Sequence, residues 1–109
     1  SIAEIEPGMV AVPVDAMLAE IQRLYVPGQA SLRLELVVDG DATTVGLQVD
    51  DDQGRVLLAL DGELTLEAIR GQALPDLSWD AFLEVAERLL RQLTALGVVF
   101  LNVKRGSEA

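Results

Sequence analysis

The chain has 109 residues, half of them hydrophobic, with 18 acidic and 8 basic side chains and a formal net charge of −10. That is enough apolar material for one small core, and too few clustered cations to bind nucleic acid by displacing phosphate counterions. With no Cys and no His, disulfides, thiolate nucleophiles, imidazole catalysis, Cys/His zinc sites and Ser-His-Asp triads are excluded, and no apolar run reaches the roughly 18 residues of a membrane span.

Residues 1–12 read as an extended lead-in. The stretch VDAMLAEIQRLY, 14–25, repeats Val14, Met17, Leu18, Ile21, Leu24 and Tyr25 at helical spacing. Pro13 suits a first turn, and Val26-Pro27-Gly28 stops the helix.

In SLRLELVV, 31–38, Leu32, Leu34, Leu36 and Val38 alternate with Ser31, Arg33, Glu35 and Val37, the period of a half-buried strand. Asp39-Gly40 follows, a dipeptide that tolerates positive φ at both positions of a tight hairpin turn. A two-residue turn there sets the register: Val38 against Asp41, Leu36 against Thr43, Leu34 against Val45 and Leu32 against Leu47.

VDDDQGRV, 49–56, carries three consecutive aspartates and a glycine. It fails as a calcium loop, which needs Gly at position 6 and Glu at position 12; counting from Asp50 gives Arg55 and Asp61. The alternation predicts instead a second hairpin, with Val49 paired to Val56, Leu47 to Leu58 and Val45 to Leu60. Asp50 then faces Arg55, and residues 51–54 form the turn. A third turn at Asp61-Gly62 leads into ELTLEAI, 63–69, read as a fourth strand because Asp-Gly directly precedes it, with a helix as the other reading.

Residues 71–77 read as a loop. Ser78 then caps a long helix whose stripe is Trp79, Phe82, Leu83, Ala86, Leu89, Leu90, Leu93 and Leu96, with Glu84–Arg88 and Glu87–Arg91 pairs outside and Gly97 at its end. VVFLNVK, 98–104, reads as an interior strand or a covered edge, and 105–109 as a loose tail.

These elements predict one α+β domain over residues 1–109: a two-layer sandwich of order α-β-β-β-(β)-α-β, mostly antiparallel, with two helices on one face. Leu32, Leu34, Val45, Leu47, Leu58 and Leu60 then face the helices. Val37, Leu57 and Ala59 become apolar spots on the open face. With Val99, Leu101 and Val103 of the last strand they form the candidate interaction surface. In such a meander Asp39, Asp41, Asp61 and Glu63 gather along one rim, with the two turns roughly 10 Å apart. They are the candidate ligands for Ca²⁺ or Mg²⁺, although Asp also occurs there simply because Asp-Gly makes good turns. Trp79 reads as a core anchor, and Arg70, Arg88, Arg91, Lys104 and Arg105 as a weak basic area.

The element order and the acidic, leucine-rich composition are similar to type III secretion chaperones, which implies an acidic homodimer holding an unfolded partner segment. The helix–three strands–helix core also resembles double-stranded-RNA-binding domains, but without their basic residues. No motif residue is carried over from either.

The functional expectation is a non-enzymatic acidic module, an adaptor, chaperone-like subunit or inhibitor, homodimeric and steered towards a basic protein partner. It needs no cofactor, nucleic acid or membrane, and its expected place is the cytoplasm. The alternatives are a carboxylate- or divalent-metal-dependent enzyme or ligand-binding protein, and an inhibitor that mimics the charge of DNA.

Overall fold

The computed structural model describes residues 4–103. The order is β1 (Met9–Pro13), α1 (Met17–Leu24), β2 (Ser31–Val38), β3 (Asp41–Gln48), α2 (Asp51–Ala59), α3 (Leu66–Ala73), α4 (Trp79–Ala95) and β4 (Val99–Val103). The class is α+β, but the order differs from the expected one: a strand comes first and three helices run in succession. The helix–three strands–helix order behind both family resemblances is therefore absent. The strands form two separate two-stranded antiparallel sheets, β1–β4 and β2–β3, in place of one meander.

The hairpin follows the sequence reading. Asp39 (φ 52°) and Gly40 (φ 84°) form the turn, a type I′ geometry that matches the twist of the flanking strands. The register pairs Val38 with Asp41, Leu36 with Thr43, Leu34 with Val45 and Leu32 with Leu47. Leu32, Leu34 and Leu47 are buried, while Leu36 and Val45, nearer the turn, are half-buried. The ribbon is thus anchored at its base and open towards its tip.

The second hairpin does not form; residues 51–59 are helical. Asp50 caps α2: its Oδ1 accepts from the Gln53 N–H at 2.8 Å, and Gln53 Oε1 accepts from the Asp50 N–H at 2.9 Å. This reciprocal box satisfies two backbone donors that a strand would have to pair elsewhere. A strand from 56 to 60 would bury Val56, Leu58 and Leu60. The helix buries Val56, Leu57 and Leu60 and exposes Leu58. The apolar gain is nearly the same either way, so the cap, worth about 1 kcal/mol, and the helix's own hydrogen bonds decide. Gln53 is itself buried, and its amide also donates to the Val85 carbonyl of α4 at 3.2 Å. Gly54 lies against Tyr25, so close that a side-chain carbon there would overlap the tyrosine ring and hydroxyl.

Asp61-Gly62 is likewise no hairpin turn. Asp61 Oδ1 accepts from the N–H groups of Glu63 and Leu64, each at 2.9 Å. The resulting Asx turn delivers the chain to Thr65, whose hydroxyl accepts from the Ala68 N–H and caps α3. Of the expected fourth strand only an isolated bridge between Thr65 and Val10 exists. α3 reaches Ala73, so the loop expected over 71–77 begins later.

α4 matches its prediction. Ser78 caps it, and Phe82, Ala86, Leu89, Leu90 and Leu93 are buried. Gly97 N–H donates to the Thr94 carbonyl and Val98 N–H to that of Leu93, a Schellman ending with Gly97 at φ 73°. Glu87–Arg91 forms at 2.6 Å; Glu84 and Arg88 make no ion pair. β4 then pairs with the lead-in: Met9 opposes Val103, and Pro13 opposes Val99. The expected extended segment is thus strand β1, lying between β4 and Thr65. No helix among the described residues is long and apolar enough to cross a membrane.

Candidate interaction surface

The acids assigned to one rim do not assemble. Asp39 and Asp41 sit at the hairpin turn, whereas Asp61 and Glu63 belong to the α2–α3 connection, and Asp61 is occupied with two backbone amides. The expected rim is lost because the second hairpin, which would have folded them to the same end, is a helix. Among the described residues no three acidic side chains are placed to hold a metal ion.

The six apolar surface candidates divide. Leu57 is fully buried on the inner side of α2 and Val99 is buried at the start of β4, so neither presents a surface in the folded chain. Ala59 and Leu101 are half-buried. Val37, 75% exposed, and Val103, 49% exposed, are open to solvent. Missed in the sequence reading were Phe100, 48% exposed, and Leu58, 53% exposed, both on the far side of a boundary that the helix phase or strand parity moved. Lys104 and Arg105 lie outside the described residues. Arg70 and Arg91 are engaged by Glu67 and Glu87 within their own helices, which pairs two of the five cations of the weak basic area.

Among the described residues two strand edges carry neither a bridge nor a side-chain clamp from another element. The first is β4, VFLNV, an uncharged strand paired only with β1. Beside it Ile5, Leu90, Thr94, Val99, Phe100 and Leu101 line a cleft of about 280 Å³, with Arg91 at its margin.

The second is β2. The type I′ turn makes Val38–Asp41 a hydrogen-bonded pair, so even-numbered residues of β2 bond to β3. Ser31, Arg33, Glu35 and Val37 therefore aim N–H and C=O away from it. The same parity holds on β3, where Gln48 faces outward, and there the groups are claimed. Gln92 Oε1 accepts from the Gln48 N–H, and Gln92 Nε2 donates to the Gln48 carbonyl, both at 2.9 Å. No such clamp exists on β2; among the described residues nothing hydrogen-bonds its outward-facing groups. An open depression of about 480 Å³, lined by Leu24, Gln29, Ala30, Ser31, Leu32 and Arg33, runs beside its first half.

Burial, followed by the nearby charges of Asp51 and Asp50, raises the Tyr25 hydroxyl above its ordinary value, with Arg55 opposing. The hydrogen bond from Arg70 lowers Glu67, and the one from Arg23 lowers Glu20. These are surface pairs within one helix, and none lies in a cleft with a second reactive group. Trp79 stacks at 5.4 Å on Phe82 and is half-buried, in keeping with its reading as a core anchor. No protein-family model, curated protein or solved structure matches the chain.

Proposed function

We propose that this chain is a non-enzymatic protein-interaction module, an adaptor, chaperone-like or inhibitory subunit that works as a homodimer and takes a basic protein partner. The single observation that carries the reading is the pair of open strand edges, β2 and β4, each bordered by exposed apolar side chains. An unpaired edge presents a row of backbone donors and acceptors, and proteins that use no such edge usually blunt it with lysine, proline or a covering element. β4 has neither lysine nor proline within its five residues. The excess of acid steers a basic partner and speeds its encounter without setting the contact itself.

The test is retention of proteins from source-cell extract on the immobilised chain at low and high salt, beside the variants Phe100→Glu and Val37→Glu, together with sedimentation of the chain alone. The expected result is a discrete partner, lost with one of the two variants and weakened by salt, and a dimer in sedimentation. A chain that retains nothing and sediments as a monomer at every concentration overturns the reading.

A further inference from the structure

An isolated two-stranded ribbon is marginal in water; a third strand or a covering helix is needed to hold it. The base of β2–β3 has its cover, since Leu32, Leu34 and Leu47 are buried. The distal half does not: Leu36 and Val45 are half-exposed, and Val37 is the most exposed large apolar side chain among the described residues. β3 is no place for a further strand at its base, because the Gln92 clamp occupies it. Among the described residues nothing occupies the β2 edge.

What fits that edge is constrained by parity. Only odd-numbered residues of β2 offer outward hydrogen-bonding groups. A second β2 laid antiparallel must therefore pair odd with odd. Shifts of two residues are allowed, and the charges select among them. With Arg33 at the centre, Arg33 meets its own copy. With Glu35 at the centre, Glu35 meets its own copy. With Leu34 at the centre, Arg33 meets the partner's Glu35 and Glu35 meets the partner's Arg33.

The Leu34 register also engages the most outward-bonding residues of the three: Ser31, Arg33, Glu35 and Val37 of each strand. Ser31 opposes the partner's Val37, which puts that exposed valine beside the depression lined by Leu24 and Ala30. On the inner face Leu36 opposes the partner's Leu32, and Leu34 opposes its own copy. Every apolar position of the row therefore meets an apolar one. Opposite charges directly across an antiparallel pair stabilise it, and like charges destabilise it.

We propose that two copies of this chain join β2 to β2 about a two-fold axis at Leu34, forming one four-stranded antiparallel sheet, β3–β2–β2–β3. The partner is a second copy because, of these registers, one makes the edge complementary to itself in charge, and there its inner leucines also meet leucines. The proposal rests on the interaction-module reading above and gives its homodimer a strand and a register. β4 is left free for a foreign segment.

The test is sedimentation equilibrium of the full chain with Arg33→Glu, with Glu35→Arg, and with both together. Arg33 and Glu35 are exposed, so none of these variants disturbs the core. Each single change turns two attractive cross-strand pairs into two repulsive ones and is expected to weaken the dimer about 10-fold. The double change restores it. General repulsion predicts otherwise, because Glu35→Arg reduces the net negative charge and would strengthen association. Arg88→Glu, on the exposed side of α4, serves as the charge control and is expected to leave the dimer intact. Amide exchange provides a second reading: the N–H groups of Arg33, Glu35 and Val37 become protected as concentration rises through the dimerisation range.

If the dimer persists in both single variants with those amides unprotected, dimerisation uses another face. The proposal then fails while the module reading stands. A wild-type monomer that still retains a foreign partner has the same consequence. A dimer weakened by both single changes but not restored by the double change also overturns the register.

Discussion

Residues 31–48 and residues 49–60 are adjacent and look alike on paper, each a run of alternating leucines and valines around a turn-forming cluster. One became a hairpin and the other a helix. In the hairpin the turn chemistry and the apolar period are both local and agree, so no other conformation satisfies them together. In the second stretch the apolar residues serve two periods equally: Val56, Leu58 and Leu60 for a strand, Val56, Leu57 and Leu60 for a helix. When burial does not discriminate, the backbone cap does. Asp50 and Gln53 stand at the spacing of a capping box, a signal present in the sequence and stronger than the three consecutive aspartates that drew attention to a turn.

Helix and strand differ most at the neighbours Leu57, buried, and Leu58, exposed. Leu57→Ala is expected to cost about 3 kcal/mol in urea unfolding, a core leucine's loss, while Leu58→Ala stays within about 0.5 kcal/mol. A strand would reverse the order. Next is Gly54→Ala. Alanine in a helix interior ordinarily gains about 1 kcal/mol over glycine. Here the added carbon meets the Tyr25 ring, with its Cε2 at 2.9 Å, and overpacking is expected to cost about 1–3 kcal/mol instead. Calorimetry of the variant decides the sign.

Smaller effects separate the two turn chemistries. Asp50→Ala is expected to lose about 1 kcal/mol, with Asp50→Ser retaining most of it, because either side chain can accept from the Gln53 amide. The smallest effect concerns pH. The folded state holds the Tyr25 proton above its ordinary pKa of 10.0. The associated stability is complete below that value and is lost as pH rises through the raised one. A melting-temperature scan above pH 10 should therefore fall more steeply for the wild type than for Tyr25→Phe.

The legible parts of the fold were those whose information lies within a few residues. Ser78, the 3.6-residue stripe to Leu93 and Gly97 identify α4 without any tertiary context. Asp61-Gly62 shows the limit of a dipeptide, since the same pair that closes one hairpin elsewhere feeds an Asx turn into the Thr65 cap. β1 was invisible because its partner, β4, is some ninety residues away, and nothing near Met9 announces that strand. The interaction surface was half legible for a related reason. Alternation placed Arg33, Glu35 and Val37 on one face, yet only the collapse of the expected meander left β2 without a second neighbour. The burial of Leu57 and Val99 likewise depends on α2 and β4 taking their places in the packed chain.

The pairing of Met9 with Val103 sets the order of assembly. The hairpin and α2 to α4 close over short stretches of chain, whereas the terminal sheet must join segments from opposite ends, and such long closures come late in folding. A polypeptide emerging from the ribosome can build its helices and its ribbon early, but β1 stays unpartnered until β4 is released. The β1–β4 sheet is thus closed only after everything between its two strands has been made.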